Sequence, residues 1–332
     1  MSFFFAAICS ITFWVQEQQL ETRVSDSTVP IELYANQAND NLSRTFTTAI
    51  DSAQKSVLLL IYSLTDPKII ECLKNQSKNG ITVKVVCDAK ASPFADVKLG
   101  DQVDITRRFG PGLMHQKILV IDEERVWLGS ANMTSESLRM HGNLVTALNS
   151  ESLAKHIHRK ADTLEIEGRG ESFQNDLFSI GGQNIELWFL PDDQKATLRI
   201  KNLIRSAQKT IRVAMFTFTR NDLAFALIDA AKRGVQTEVV IDNCSGKGAS
   251  SKIVKLLKDH EMDISLSSGG PLLHHKFLYV DDKVLVNGSA NWTKAAFTQN
   301  DDCFIVIHNL TVEQNEQMET LWDIIRKDSI RL

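Results

Sequence analysis

The chain has 332 residues, 43% of them hydrophobic, and a formal net charge of −4. Its length predicts about two domains, each able to bury a sizeable core. The acidic balance excludes the general basic footprint that phosphate-backbone binding leaves. Five cysteines without a Cys-x-x-Cys or a paired His-Cys spacing argue against a zinc site, and the odd count argues against a full disulfide framework.

In chain order, the apolar run from Phe3 to Val15 is shorter than the roughly 20 residues a membrane span needs. It resembles a signal-peptide core but lacks the basic start and the small-residue cleavage site. Residues 1–29 are therefore read as an apolar N-terminal segment. Export or membrane attachment stands open beside a cytoplasmic chain.

Residues 31–34 then read as a strand. Leu42, Phe46 and Ile50, four apart, predict a helix over 39–54. An apolar run at 57–62 is the next strand, Pro67 opens a helix to about Lys78, Gly80 ends it, and 81–87 is a third strand. Residues 168–182, with four glycines, read as a linker. The order then recurs: strand 185–190, helix 196–208, strand 211–218, helix 221–233, Gly234, strand 235–241. Strand–helix–strand alternation predicts an α/β fold, a mixed sheet covered by helices in each half. The boundaries expected are 30–168 for the first domain, 169–182 for the linker and 183–332 for the second domain.

Literal repetition supports a duplication. Ser52-Ala53-Gln54-Lys55 returns as Ser206-Ala207-Gln208-Lys209, and Val85-Val86-Cys87-Asp88 as Val239-Val240-Ile241-Asp242. The pattern H-x-K-x-x-x-x-D-x-x-x-x-x-x-G-S-x-N occurs twice without insertion, from His115 to Asn132 and from His274 to Asn291. Six fixed residue types at about 5% each give on the order of 10⁻⁸ per starting position, so two copies are not an accident of composition.

Each motif is expected on a hairpin. His115 and Lys117 are two apart and share a strand face, as do His274 and Lys276. Asp122-Glu123-Glu124 and Asp281-Asp282-Lys283 are the turns, and Thr134 and Thr293 could begin short helices. Chemically the set suits a phosphodiester. A histidine can attack phosphorus when neutral or donate a proton when charged. Two lysines and two asparagines converging on one phosphate would stabilise the charge of a five-coordinate transition state. No carboxylate cluster suited to a metal is visible, so neither metal nor cofactor is expected.

The doubled motif resembles that of the phospholipase D superfamily over nearly the whole chain from about residue 30. The resemblance implies two duplicated α/β domains about a pseudo-two-fold axis, with both motifs lining one site and a phosphohistidine intermediate. It implies His115 as nucleophile and His274 as the acid that releases the alcohol and then activates water. Lys117, Lys276, Asn132 and Asn291 map to phosphate-binding positions. Ser130 and Ser289 map to supporting positions in the Gly-Ser turns and are grouped with the phosphate-binding residues, and Asp122 and Asp281 map to structural positions. Family members often carry a histidine-orienting acid eleven residues after the motif Asn. Here Asp302 stands there in the second half and Asn143 in the first. The expectation is that Asn143 orients His115 and Asp302 orients His274. His141 reads as a loop histidine, and His156, His158, His260 and His308 as surface residues.

The first functional reading is a phosphoric diester hydrolase of the phospholipase D type acting on a phospholipid, with a membrane surface as possible partner and the monomer as active unit. Apolar loops at 109–114 and 269–273, which read either as turn plus buried strand start or as a rim for lipid chains, and the N-terminal segment favour it. The second is a nuclease on the same fold, and the third a catalytically inactive interaction protein. A transferase resembling cardiolipin synthases is a further possibility.

Overall fold

A computed structural model describes residues 28–168 and 170–332. The N-terminal run at 3–15 and Cys9 lie outside the described residues. No helix among the described residues is long and apolar enough to cross a membrane.

The first half contributes seven strands: β1 (Ile31–Ala35), β2 (Ser56–Ile61), β3 (Thr82–Asp88), β4 (Asp104–Arg108), β5 (Lys117–Ile121), β6 (Arg125–Gly129) and β7 (Leu144–Asn149). They form one mixed sheet in the order β1-β7-β6-β5-β2-β3-β4. β2, β3 and β4 run parallel, and the remaining pairs are antiparallel. The second half supplies β8 (Asp176–Ile180), β9 (Gln183–Leu190), β10 (Thr210–Met215), β11 (Gln236–Ile241), β12 (Asp263–Ser267), β13 (Lys276–Val280), β14 (Val284–Gly288), β15 (Asp302–His308) and β16 (Ser329–Arg331). Their order, β16-β12-β11-β10-β13-β14-β15-β9-β8, is that of the first sheet with one strand added at each edge. The sequence expectation of a duplicated α/β fold with mixed sheets holds.

One added strand revises a detail. β8 lies inside the segment expected to be linker and pairs with β9 through the Gly181-Gly182 turn. Glycines with positive φ (57° and 81°) at both positions suit a tight hairpin turn, which composition alone does not separate from a linker.

The strands are buried on both faces, as parallel-containing sheets covered by helices require. Leu58 and Leu60 of β2 face one core, while Val57, Leu59 and Ile61 face another. The second core lies under helices Leu42–Asp51 and Pro67–Lys78, whose N-termini are capped by the side chains of Asn41 and Asp66. The core with Leu58 and Leu60 is shared between the halves: Ile118, Val120 and Leu128 join Phe277, Tyr279, Leu285 and Ile305 there. Each fully buried aliphatic or aromatic side chain contributes about 1.5–3 kcal/mol, so the halves are held as one body by their sheets. Helix Glu151–Asp162 packs into this core. Its inner face carries His156, which is buried against Phe173, Phe178 and Phe189 rather than on the surface.

Candidate active site

Both motif histidines sit where a chain crosses from a loop into a sheet. His115 lies two residues before Lys117, which starts β5 and pairs with Ile61 at the carboxyl end of β2. In the second half Lys276 likewise pairs with Met215 of β10. The approach to each histidine is bonded to the opposite half. His115 N donates to Asp301 O (2.8 Å) and Asp301 N to Leu113 O (2.8 Å). His274 N donates to Gly142 O (2.9 Å) and Gly142 N to Leu272 O (2.8 Å). These two backbone bridges are related by the pseudo-two-fold and bring both motifs to the seam between the halves. A Cβ on Gly142 would lie 2.3 Å from Oε1 of Gln37 and 3.0 Å from Nε2 of His275, so a larger residue at the crossing would have to displace the Gln37 side chain.

The bridges carry the residues that hold the imidazoles. Nδ1 of His115 is 2.7 Å from Oδ1 of Asp302, and Nδ1 of His274 is 3.0 Å from Oδ1 of Asn143. The partners are therefore exchanged relative to the sequence expectation: each half orients the other half's histidine. The reason is the seam. Asp302 starts β15 and Asn143 immediately precedes β7, and each side chain reaches across to the other half's histidine. Chain distance within a half gave no hint of that.

Ser130 and Ser289 stand in supporting places. Their hydroxyls are fully buried and donate to Asn143 Oδ1 (2.9 Å) and Asp302 Oδ1 (2.6 Å). They brace the orienting side chains rather than facing a phosphate. Asn143 Nδ2 donates to the carbonyls of Ser137 (2.8 Å) and His141 (3.2 Å), which fixes its oxygen towards His274. His274 Nδ1 must then carry a hydrogen, leaving Nε2 as the chemically available nitrogen. Asp302 imposes the same tautomer on His115.

The lysines lie beneath the histidines. Lys117 Nζ donates to His115 O and Lys276 Nζ to His274 O, both at 2.6 Å. Lys117 stands over the Tyr62 ring (5.1 Å) and Lys276 over Phe216 (5.0 Å). The same rings meet His115 and His274 with centroids 5.1 Å apart. Among the described residues, Nδ2 of Asn132 and of Asn291 has no protein acceptor. Asn291 Oδ1 accepts from Thr217 N (3.2 Å), whereas the buried Asn132 Oδ1 has no donor. Asp122 and Asp281 lie outside the site. Each carboxylate gathers three backbone amides, of Gln54, Lys55 and Ser56 or of Gln208, Lys209 and Thr210, and ties a hairpin turn to the strand beside it.

Burial and crowded cations shape the electrostatics. His115 is pushed below the ordinary histidine value by burial and Lys117, against which Asp302 pulls upward. His274 is pushed much further down by burial, Lys276, Lys117 and His115, with no carboxylate beside it. Burial lowers Lys117 to about 7 and drives Lys276 well below its usual range, with Lys117 adding to the effect on Lys276. Burial works to raise Asp302, but His115, Lys117 and Ser289 outweigh it and hold the carboxyl low. Cationic groups buried and crowded together in this way are stabilised in their charged forms by an entering anion. Among the described residues no group of three or more His, Cys, Asp or Glu side chains could hold a metal ion.

Several supports of the site carry little signal in the sequence. Oδ2 of Asp88 and Asp242 accepts from Met114 N and Leu273 N (both 3.1 Å), anchoring the two loops that enter the site. Their place in the internal repeat was the available signal. Tyr62 and Phe216 sat in plain apolar runs and carried none. His141 lies with its ring 6.2 Å from that of His274, at the site's edge.

Comparison with known proteins gives a consistent picture. The family described as "Cardiolipin synthase, PLD-like domain" matches over residues 46–164 and 200–323. The mitochondrial cardiolipin hydrolase of Chlamydomonas reinhardtii is 28% identical over 130 residues, which cover 39% of this chain and 58% of that protein. The phospholipase D of Rickettsia bellii is 29% identical over 110 residues, 33% of this chain and 54% of that protein. The chain thus spans little more than half the length of these curated relatives. The crystal structure of phosphatidylserine synthase from Haemophilus influenzae superposes with a TM-score of 0.70 at 15% identity, covering 96% of this chain and 91% of that one, a likeness of fold.

Proposed function

This chain belongs to the phospholipase D superfamily, and from that premise we propose that it cleaves the head group from a phospholipid through a phosphohistidine intermediate. The observation that carries the reading is the pair of imidazoles at one seam, each with Nε2 available and each held at Nδ1 by the opposite half. Nε2 of His115 attacks phosphorus. The positive charge that develops on its ring is stabilised by Asp302, which is why the carboxylate-backed histidine is assigned as nucleophile. The P–O bond to the head-group alcohol breaks, and the oxygen takes the proton of His274 Nε2. Water then gives a proton to His274 and attacks phosphorus, releasing phosphatidic acid and restoring His115. Lys117, Lys276, Asn132 and Asn291 hold the non-bridging oxygens. The substrate anion raises the basicity of His274, so the acid is charged when it is needed.

A phospholipid is favoured over nucleic acid by the acidic chain, the apolar loops before both histidines and the curated relatives named for cardiolipin and phospholipid hydrolysis. The test is a screen of the purified protein, with EDTA present, on phospholipid vesicles of varied head group and on single-stranded DNA and RNA. Release of a head group with phosphatidic acid is expected. Cleavage of nucleic acid without any lipid product would transfer the assignment to a nuclease.

A further inference from the structure

The two halves are not equivalent around the mouth of the site. Corresponding positions follow from shared hydrogen bonds. Ser92 Oγ accepts from Leu64 N (3.0 Å), as Ser250 Oγ accepts from Phe218 N (2.9 Å). Buried Ala95 and Leu99 then correspond to buried Ile253 and Leu257. On this register exposed Phe94 and Val97 answer to exposed Lys252 and Lys255. Counted back from the histidines, exposed Phe109 answers to Ser268. Counted back from Asn143 and Asp302, exposed Met140 answers to Gln299.

Four large apolar side chains in the first half thus stand where the second half has two lysines, a serine and a glutamine. Each stands on a segment that leads to the site: Phe94 and Val97 follow Ser92, whose Oγ donates to Tyr62 O beside His115, Phe109 is in the loop before His115, and Met140 leads into the bridge to His274. Single exposed apolar residues are ordinary, but four on segments leading to one site, each matched by a polar residue in the other half, are not. Phe94 and Val97 are 66% and 76% exposed, so they contribute little to folding. Phe94 also has φ of 59°, in the left-handed region that a bulky residue rarely adopts. A strained backbone presenting an exposed ring points to a function outside the fold. Lys252 has no acidic partner among the described residues, and Lys255 pairs with exposed Asp259 at 2.8 Å.

We infer that this mouth docks on an anionic phospholipid bilayer, the first half's apolar rim entering the lipid and Lys252 and Lys255 meeting lipid phosphates. The inference rests on the phospholipid reading above and adds the surface that delivers the substrate. A bilayer offers both an apolar interior and an anionic face, the two chemistries the rim displays side by side. A nucleic-acid backbone offers phosphate, but Val97 and Met140 have no π-face on which bases could stack.

The test uses the full chain and sedimentation with vesicles of phosphatidylcholine, with and without phosphatidylglycerol. Phe94→Asn with Val97→Ser removes the apolar rim while asparagine keeps the left-handed backbone. Binding to both vesicle types should fall by about tenfold or more. Lys252→Gln with Lys255→Gln should lower binding to anionic vesicles alone, by about fivefold per lysine. Hydrolysis of a short-chain phospholipid kept monomeric should stay unchanged in both variants, since neither pair belongs to the catalytic set. Vesicle binding by the rim variant equal to that of the parent overturns the docking surface. So does a parent protein that hydrolyses the monomeric lipid yet binds neither vesicle. Loss of single-stranded DNA binding in the rim variant, without loss of vesicle binding, reassigns the patch to nucleic acid. Absence of turnover on monomeric and vesicular lipid alike removes the phospholipid reading itself.

Discussion

Nδ1 of His115 lies 2.7 Å from Oδ1 of Asp302, a carboxylate contributed by the opposite half of the chain, while His274 receives only the amide oxygen of Asn143. Two otherwise matched motifs thus end in different electrostatic settings, and three of the predictions below follow from that difference.

Asp302→Asn keeps the size of the group but removes the charge that supports a cationic His115 ring. The amide can also present its nitrogen to the ring and fix the wrong tautomer. A fall in kcat of ~10²–10⁴-fold is expected, with the fold retained. Steady-state kinetics on a phosphodiester, with circular dichroism as control, measure it. A kcat within threefold of the parent would remove Asp302 from the mechanism.

Asn143→Asp should make His274 more basic. As general acid, His274 works only while protonated, and its pKa is lowered, so kcat falls as pH rises through that value. A carboxylate raises the value, and the alkaline limb of the kcat profile should move upward by roughly one unit. The carbonyls of Ser137 and His141 lose their donor, at a cost of about 1–3 kcal/mol in stability. An unmoved limb would show that another group sets it.

His115→Ala and His274→Ala should each lower turnover by ~10³-fold or more, as covalent and proton-transfer steps fail. The two differ on a substrate with an aryl leaving group, which departs without a proton. His274→Ala should then accumulate the adduct on His115, visible by mass spectrometry after rapid denaturation. EDTA should leave the parent's activity intact. Activity lost to EDTA and regained with a divalent ion would rule out the metal-independent scheme.

Arg108 and Asp301 form a buried ion pair across the seam at 2.7 Å, and the guanidinium also reaches the carbonyls of Glu165 and Gly168. Burial nevertheless pushes the Asp301 carboxyl up, so the pair only partly offsets its desolvation. Arg108→Ala leaves the acid without a partner and should cost ~3 kcal/mol, read from urea unfolding. A loss under 1 kcal/mol would mean that Asp301 is protonated in the native protein.

The sequence by itself determined the duplication, the α/β class, the hairpins under each motif and the identity of the two His-x-Lys pairs. These are local in the chain: His115 and Lys117 are two apart in one extended segment, and the short turn at 122–124 returns β6 beside β5. Only the tertiary structure decided which side chain holds which histidine, because Asp302 reaches His115 across 187 positions through a backbone bridge that no periodicity encodes. It likewise set Ser130 and Ser289 against Asn143 and Asp302, placed His141 beside His274 and buried His156. Hydrophobic periodicity reports which face of an element is covered. It is silent on what covers it, and here the cover for each half of the site is the other half.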